Sequence, residues 1–253
     1  MDFETKGEAV DGTWFDYNWV WIGTALGCVL AAVLLFTDKL RSNTEVPRRR
    51  DLYWLGWACS LAYFIHNIEE YGISAMGATY AFPDTIANLA GMLGGSGDVP
   101  AIFFTVVNVS MVWIAFPLLA FWGKKRPLAS LVLASMLFMN AVTHAMPLVI
   151  GVGYTAGAVS AIVLFFPLTI WMFVLAFGKS GTYSARALLA VLGVGIAVHA
   201  VLMGSVLFFV LRASYPASVL VGIQFANAAL LVGLGWIVAK SDVGRRALPK
   251  VAC

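Results

Sequence analysis

The chain has 253 residues and a formal net charge of +3; 61% of its residues are hydrophobic and 11% are charged. This composition lies outside the range of soluble globular domains and predicts a polytopic membrane protein. The small positive charge indicates no nucleic-acid partner, because the basic residues are accounted for as membrane anchors. The three cysteines predict no disulfide framework, since Cys28 and Cys59 fall in apolar stretches and Cys253 ends the chain.

Seven apolar segments follow one another, and each is long enough to cross a bilayer core, which takes a helix of ~20 residues. In chain order they are residues 19–36, 52–72, 101–122, 128–150, 156–177, 187–211 and 217–239. The sequence therefore predicts an all-α bundle of seven transmembrane helices at residues 19–239. An external segment at 1–18 precedes it, and a cytoplasmic tail at 240–253 follows it.

Lysine and arginine are concentrated in every second link. The links after the first, third and fifth spans and the C-terminal tail are basic, whereas the intervening links carry only Arg212. The positive-inside rule then places the N-terminus outside and the C-terminus in the cytoplasm. The longest link, residues 77–100, is external in this topology, and its composition fits a lid, a partly re-entrant segment or a disordered loop.

Five ionisable side chains fall inside these spans or at their ends: His66, Glu69, Glu70, His144 and His199. Each is costly in a bilayer core unless it is paired or faces water, so each is a functional candidate. With a rise of ~1.5 Å per residue and a core ~30 Å thick, the three histidines lie roughly 10 Å below the external face. The four-residue spacing puts His66 and Glu70 on one side of a helix, with Glu69 flanking it. We expect all five to line one chamber in the external half of the bilayer.

Several polar and aromatic side chains are expected to form a substrate pocket at this chamber. Asn140 repeats the four-residue spacing with His144, and two further amides lie near the same depth. The alternative for each amide is a hydrogen bond between packed helices, and for the aromatic residues it is core packing. The pocket candidates are Asn140, Asn108, Gln224, Asn227, Tyr63 and Trp57.

The segment His66-Asn67-Ile68-Glu69-Glu70 resembles the signature of the HXXEE membrane-protein family. His144 and the following residues 153–161 are similar to the downstream pattern of that family, although Ala156 stands where a proline is expected. The resemblance covers about residues 52–171. The resemblance indicates candidate functional residues and implies no particular reaction.

A weaker likeness is to the emopamil-binding sterol isomerases, whose second helix carries a His followed four residues later by a Glu. His66 and Glu70 match that spacing. The small seven-helix membrane terpene cyclases are similar in architecture and use acidic residues. Both likenesses imply that intramembrane acids protonate an apolar substrate, and both are analogies of fold and of few residues.

The first functional hypothesis is acid–base chemistry on an apolar isoprenoid or lipid substrate, with no cofactor. Adjacent carboxylates in a low dielectric repel each other, so one of them is expected to hold a proton near neutrality. Glu70 is the expected acid and Glu69 its partner, while His66 orients the acid or accepts a proton. Protonation of an alkene or epoxide would lead to isomerisation or terpene cyclisation, and aromatic rings would stabilise a carbocation.

Two alternatives remain open. The three histidines and the two glutamates could hold zinc, which favours hydrolysis of a lipid ester or amide, or non-haem iron, which favours oxidation. The sequence contains no HExxH motif that would support a metal directly. In the second alternative, Glu69 and Glu70 bind protons or a cation in a transporter or sensor. The partners expected in every case are membrane lipids; the oligomeric state stays open.

Overall fold

The computed structural model describes residues 12–95, 99–212, 215–241 and 243–246. Within these residues the chain forms eight helices of 12 residues or more, a short 3₁₀-helix at Arg48–Arg50 and no strand, so the prediction of an all-α protein is confirmed. The helices are α1 (Trp14–Phe36), α2 (Leu52–Asn67), α3 (Ala81–Met92), α4 (Ala101–Gly123), α5 (Pro127–Val149), α6 (Ala158–Phe177), α7 (Ala185–Arg212) and α8 (Ala217–Lys240).

Six of these helices are long and apolar enough to cross a membrane, judged by length and composition over the described residues; α2 and α3 are the two that are not. The chain is therefore a multi-pass integral membrane protein. The second predicted span, 52–72, is not in this set: its α-helix of 16 residues continues into a π-helical turn, Ile68–Gly72, and the polar pairs His66-Asn67 and Glu69-Glu70 make it less apolar than the six. Helix α3, of 12 residues, occupies much of the link predicted at 77–100.

The core is built around α5, which packs against α2, α4, α6, α7 and α8. In its most apolar stretch 67% of the residues are buried, compared with 28% for α1 and α8. Helix α2 approaches α5 closely because Gly56 has no side chain: a Cβ there would lie 2.6 Å from Ser130 Oγ. On the outer helices the exposed side chains are largely apolar, Phe36 and Ile237 among them, as expected of a surface that faces lipid tails.

Contacts between links define two ends of the bundle. At one end, Trp171 Nε1 donates to Arg49 O at 2.6 Å, and Arg126 Nη1 donates to Ala239 O at 3.4 Å. One cleft at this end is lined by residues that begin α2, by the link before α5, by the link before α7 and by the end of α8, so the basic links lie together there. At the other end, Tyr80 OH donates to Asp16 O at 3.4 Å, which joins the start of α1 to α3 and its flanking link.

Parts of three predicted segments lie outside the described residues. They are 1–11 of the N-terminal segment, 96–98 of the long link, and 242 and 247–253 of the C-terminal tail, including Lys250 and Cys253. The remainder of the predicted N-terminal segment is partly helical, since α1 begins at Trp14.

Candidate functional site

Three predicted site residues meet in the interior of the bundle. Glu70 Oε1 lies 3.2 Å from His144 Nε2 and 3.5 Å from His66 Nε2. One potential ligand atom from each residue lies within 4.8 Å of the other two. The three residues are 0%, 3% and 5% exposed for His66, Glu70 and His144 respectively. We call them the His–Glu–His cluster; α2 with its π-helical turn supplies two members and α5 supplies the third.

Aromatic rings hold the two imidazoles in place. The His66 and His144 rings meet edge to face with centroids 4.8 Å apart. Phe165 packs against His66 at 4.7 Å, and Phe82 of α3 packs against His144 at 5.5 Å. Because both rings are confined between neighbours, the ring nitrogens that face Glu70 have little freedom to turn away.

Glu69 has partners different from those of Glu70. Its carboxylate accepts hydrogen bonds from Tyr154 OH at 2.9 Å, Val159 N at 3.1 Å, Ser160 N at 2.7 Å and Ser160 Oγ at 2.5 Å. Three of these donors lie in the first turn of α6, where backbone N–H groups have no partner within the helix. Glu69 therefore caps α6, with favourable interaction with the helix dipole. Its role in the site is to anchor α6 against α2.

Ser160 connects Glu69 to the His–Glu–His cluster. Its hydroxyl lies 2.9 Å from His66 Nδ1 and has one proton, which we assign to the bond with Glu69 because a carboxylate accepts only. The hydroxyl must then accept from His66 Nδ1–H, so Nε2 of the neutral imidazole carries a lone pair. That Nε2 atom is buried and has no hydrogen-bond partner.

Gly157 closes the site from the side of α6. Its φ of +91° is in the left-handed region, and a Cβ there would lie 2.7 Å from His144 Cε1, 2.8 Å from His66 Cε1 and 3.0 Å from Glu70 Cγ. Glycine is therefore required both by the backbone conformation and by the space between the three cluster residues.

A cavity of about 90 Å³ opens beside Glu70 and His144. Its wall is mainly apolar and is contributed by α2 to α5 and α7, with Phe82, Phe104 and Val206 among the lining residues. The hydroxyl, amide and imidazole groups that line it belong to Tyr63, Tyr71, Thr85, Asn108, Asn140, Thr143, His144, Thr155 and His199. Apolar walls with a few convergent polar groups are typical of a small-molecule site.

His199 and Asn140 are each held by one hydrogen bond at this cavity. His199 Nδ1 lies 3.2 Å from Gly195 O, one turn earlier in α7, so we assign the proton to Nδ1. Asn140 Nδ2 donates to Tyr63 OH at 2.9 Å, while its Oδ1 atom is buried without a partner. His199 thus lies at the cavity and outside the His–Glu–His cluster.

Three predicted pocket residues lie elsewhere in the bundle. Gln224 Nε2 donates to Ser205 Oγ at 2.8 Å, and Asn227 Nδ2 donates to Val198 O at 3.1 Å; both bonds join α8 to α7. Trp57 packs edge to face on Tyr53 at 6.4 Å. None of the three is among the residues that line the described cavity.

Two contributors to the site, Tyr154 and Gly157, were not predicted as functional residues. The available signal was local: both lie in residues 153–161, the segment that resembles the family pattern, and Ser160 follows Gly157 by three residues. Their roles arise because the N-terminal end of α6 packs against the HXXEE residues, and this contact is a property of the tertiary structure.

The fold and the site define a multi-pass membrane protein with a buried His–Glu–His cluster. Residues 57–172 match the model of the family described as protein of unknown function with HXXEE motif, which confirms the resemblance. The matched segment contains the whole cluster together with Gly157 and Ser160. No curated protein and no solved structure matches the chain, so the weaker likenesses to sterol isomerases and terpene cyclases gain no support.

Proposed function

We propose that the chain crosses the membrane seven times, with α2 and its π-helical turn as the additional span. Together these 16 and five residues reach about 30 Å at helical rise, which matches a bilayer core. The gathering of the basic links at one end supports a cytoplasmic location for that end and an external N-terminus. His66 then lies about 9 Å from the external end of its span, in the outer half of the bilayer.

We further propose that the His–Glu–His cluster binds a divalent metal ion and that the protein is a membrane-embedded, metal-dependent hydrolase of an apolar ester or amide. The observation that carries this proposal is His66 Nε2. In this tautomer its lone pair faces Glu70 Oε1 at 3.5 Å, and Nε2 itself is buried without a hydrogen-bond partner. Two buried acceptors in this arrangement repel each other, whereas a bound cation would satisfy both.

The two distances from Glu70 to the histidines fit such an ion. Two ligands at ~2.1 Å from a tetrahedral zinc ion are separated by about 3.4 Å. The separations of 3.2 and 3.5 Å from Glu70 Oε1 to the two Nε2 atoms are close to this value. The bond from His66 Nδ1–H to Ser160, itself bonded to Glu69, is the outer support that metal-bound histidines usually have. We assign zinc because two histidines and one glutamate with a further open position are typical of catalytic zinc.

A bound zinc ion would supply an activated water and polarise a carbonyl oxygen. Around it, this chain offers groups suited to binding the substrate. His199, Asn140 and Thr143 can orient the polar part of a substrate by hydrogen bonds, and Thr155 Oγ1 is buried without a partner. Phe82, Phe104 and the other apolar wall residues suit an acyl or isoprenoid chain. The walls also exclude bulk water from the polar groups.

A second candidate function is metal-free acid–base chemistry, and the aromatic lining of the cavity favours it. Glu70 shares the cavity with Tyr63, Tyr71, Phe82 and Phe104, whose ring faces would stabilise a carbocation formed by protonating an alkene. In this case His144 Nε2, at 3.2 Å from Glu70, is the group that exchanges a proton with the carboxyl.

Elemental analysis of purified protein separates the two candidates. After supplementation with zinc or iron, we expect about one metal ion per chain in the wild type. His144→Ala and Glu70→Gln should lose the ion, whereas the control His199→Ala, another buried cavity histidine outside the cluster, should retain it. Stoichiometric iron would assign oxidation in place of hydrolysis. Folded protein that binds neither metal would refute the metal site and leave the acid–base candidate.

A further inference from the structure

A second cavity lies at the basic end of the bundle, and none of the described residues that line it belongs to the HXXEE motif. This cleft of about 280 Å³ is lined by Lys125, Arg126 and Arg245, together with Thr182 and Tyr183 and the apolar ends of α2, α5 and α8. We call it the basic cleft. It carries three cationic side chains, and no acidic side chain is among the described residues that line it. The cleft is therefore suited to an anion.

The end of the described chain is fixed in place at this cleft. Arg246 Nη1 donates to Gly178 O at 2.8 Å and to Gly181 O at 3.2 Å, and Nη2 donates to Phe177 O at 3.3 Å. Arg246 thus satisfies the carbonyl group of Phe177 at the C-terminal end of α6 and two carbonyl groups in the link that follows. Its backbone N–H also donates to Thr182 O at 2.8 Å.

Backbone pairing then positions Arg245 in the wall. Tyr183 and Arg245 form an antiparallel bridge, and Ser184 N donates to Gly244 O at 2.8 Å. The adjoining Gly244 has a φ of +66°, and a Cβ there would lie 2.5 Å from Ser184 Oγ. The close packing of this segment on the link between α6 and α7 holds Arg245 in the same cleft as Arg126, which lies at the start of α5 and bonds to the end of α8.

The chemistry of the basic cleft matches a phosphate group. Arginine presents several N–H donors in a fork that fits phosphate oxygens, and lysine and hydroxyl groups add further donors. The first turn of α5, which begins at Pro127 in the cleft wall, contributes the positive end of a helix dipole.

The position of the cleft points to a lipid as the source of that phosphate. Trp122 and Trp236 pack against each other with ring centroids 4.7 Å apart, close in sequence to the lining residues Lys125 and Ala239. Tryptophan is enriched at the level of the lipid headgroups, and basic pockets between transmembrane helices at this level bind anionic headgroups. We propose that the basic cleft, with Lys125, Arg126 and Arg245 as its cations, binds the phosphate group of an anionic phospholipid.

Native mass spectrometry of the delipidated full-length protein tests this site. The probes are phosphatidylglycerol and phosphatidylcholine with identical acyl chains, and the key variant is Arg126→Gln/Arg245→Gln. We expect phosphatidylglycerol to bind more tightly than phosphatidylcholine. We also expect the double variant to lose about 30-fold in phosphatidylglycerol affinity, because each basic residue near an anionic lipid contributes about 5-fold.

The matched control is Arg49→Gln/Arg50→Gln, which removes two charges from the same end of the bundle outside the cleft and should change the affinity by less than about 2-fold. Should the cleft double variant fail to fold, Arg245→Gln alone, at an exposed residue, should still lose about 5-fold. Equal binding of the two lipids, or equal losses in the cleft and control variants, would overturn the site. Displacement of the lipid by inorganic phosphate at matching concentrations would assign the cleft to soluble phosphate and overturn the lipid source.

Discussion

Gly157→Ala should abolish high-affinity zinc binding while the protein still folds. The added methyl group would lie 2.7 and 2.8 Å from carbon atoms of His144 and His66, whereas ordinary contacts begin at 3.4 Å. At least one imidazole must therefore move by about 0.6 Å or more. Metal–ligand distances tolerate about 0.2 Å, so we expect loss of high-affinity zinc binding, by about 100-fold or more.

The same substitution also strains the backbone, because Gly157 has a φ of +91°. A side chain in the left-handed region costs about 1–2 kcal/mol, and overpacking adds about 1–3 kcal/mol. We therefore expect the free energy of unfolding to fall by about 2–5 kcal/mol. Zinc affinity is measured by competition with a chromophoric chelator and stability by denaturant unfolding monitored by circular dichroism, both in detergent.

Gly153→Ala is the matched control. Its φ is +106°, but nothing lies within 4 Å of the Cβ position. It should show the backbone penalty of about 1–2 kcal/mol with zinc affinity unchanged. Wild-type zinc affinity in Gly157→Ala, or an equal loss in Gly153→Ala, would refute the inference that Gly157 makes room for the cluster.

Three further predictions concern the groups around the cluster. Ser160→Ala removes the support of His66 Nδ1 and should weaken zinc binding about 10- to 100-fold. The control Ser135→Ala removes a buried hydroxyl that donates to Val132 O and should leave zinc affinity unchanged. Equal zinc affinities of the two variants would contradict the supporting role of Ser160. Glu69→Gln should lower the free energy of unfolding by about 1–3 kcal/mol and retain zinc, whereas Glu70→Gln should lose zinc. Loss of zinc from Glu69→Gln and retention of zinc by Glu70→Gln, measured in parallel, would show that Glu69 is the ligand and Glu70 the structural residue. His199→Ala should retain zinc and lower hydrolysis of a long-chain p-nitrophenyl ester about 10-fold or more, and unchanged turnover would remove His199 from the substrate site.

Hydropathy predicted most of the helices, and residue spacing predicted that His66 and Glu70 lie together in the site. His66 and Glu70 remain on the same side of the helix despite the π-helical turn between them, since His66 Nε2 and Glu70 Oε1 lie 3.5 Å apart. The estimate of depth was also informative: His144 joins the cluster and His199 and Asn108 line the adjoining cavity. Depth does not determine which way a side chain points around its helix, however. Gln224 was expected to line the pocket and instead donates a hydrogen bond to Ser205 Oγ.

The different roles of the two glutamates were not predicted, because the sequence shows only that they are neighbours. Glu69 becomes a cap because the first turn of α6 packs against α2, and this contact joins residues about 90 positions apart. Gly157 was likewise not predicted as a site residue, although it lies in the segment 153–161 that resembles the family pattern. Its role as the space between two imidazoles follows from the same long-range packing, for which hydropathy carries no signal.

X-ray absorption spectroscopy at the edge of the bound metal identifies the atoms that surround it. For protein reconstituted with zinc, we expect a shell of nitrogen and oxygen atoms at ~2.0–2.1 Å, with scattering from two imidazole rings. His144→Ala should lose this signature. A sulfur shell at ~2.3 Å, or a shell of oxygen atoms without imidazole scattering, would contradict a metal site formed by His66, Glu70 and His144.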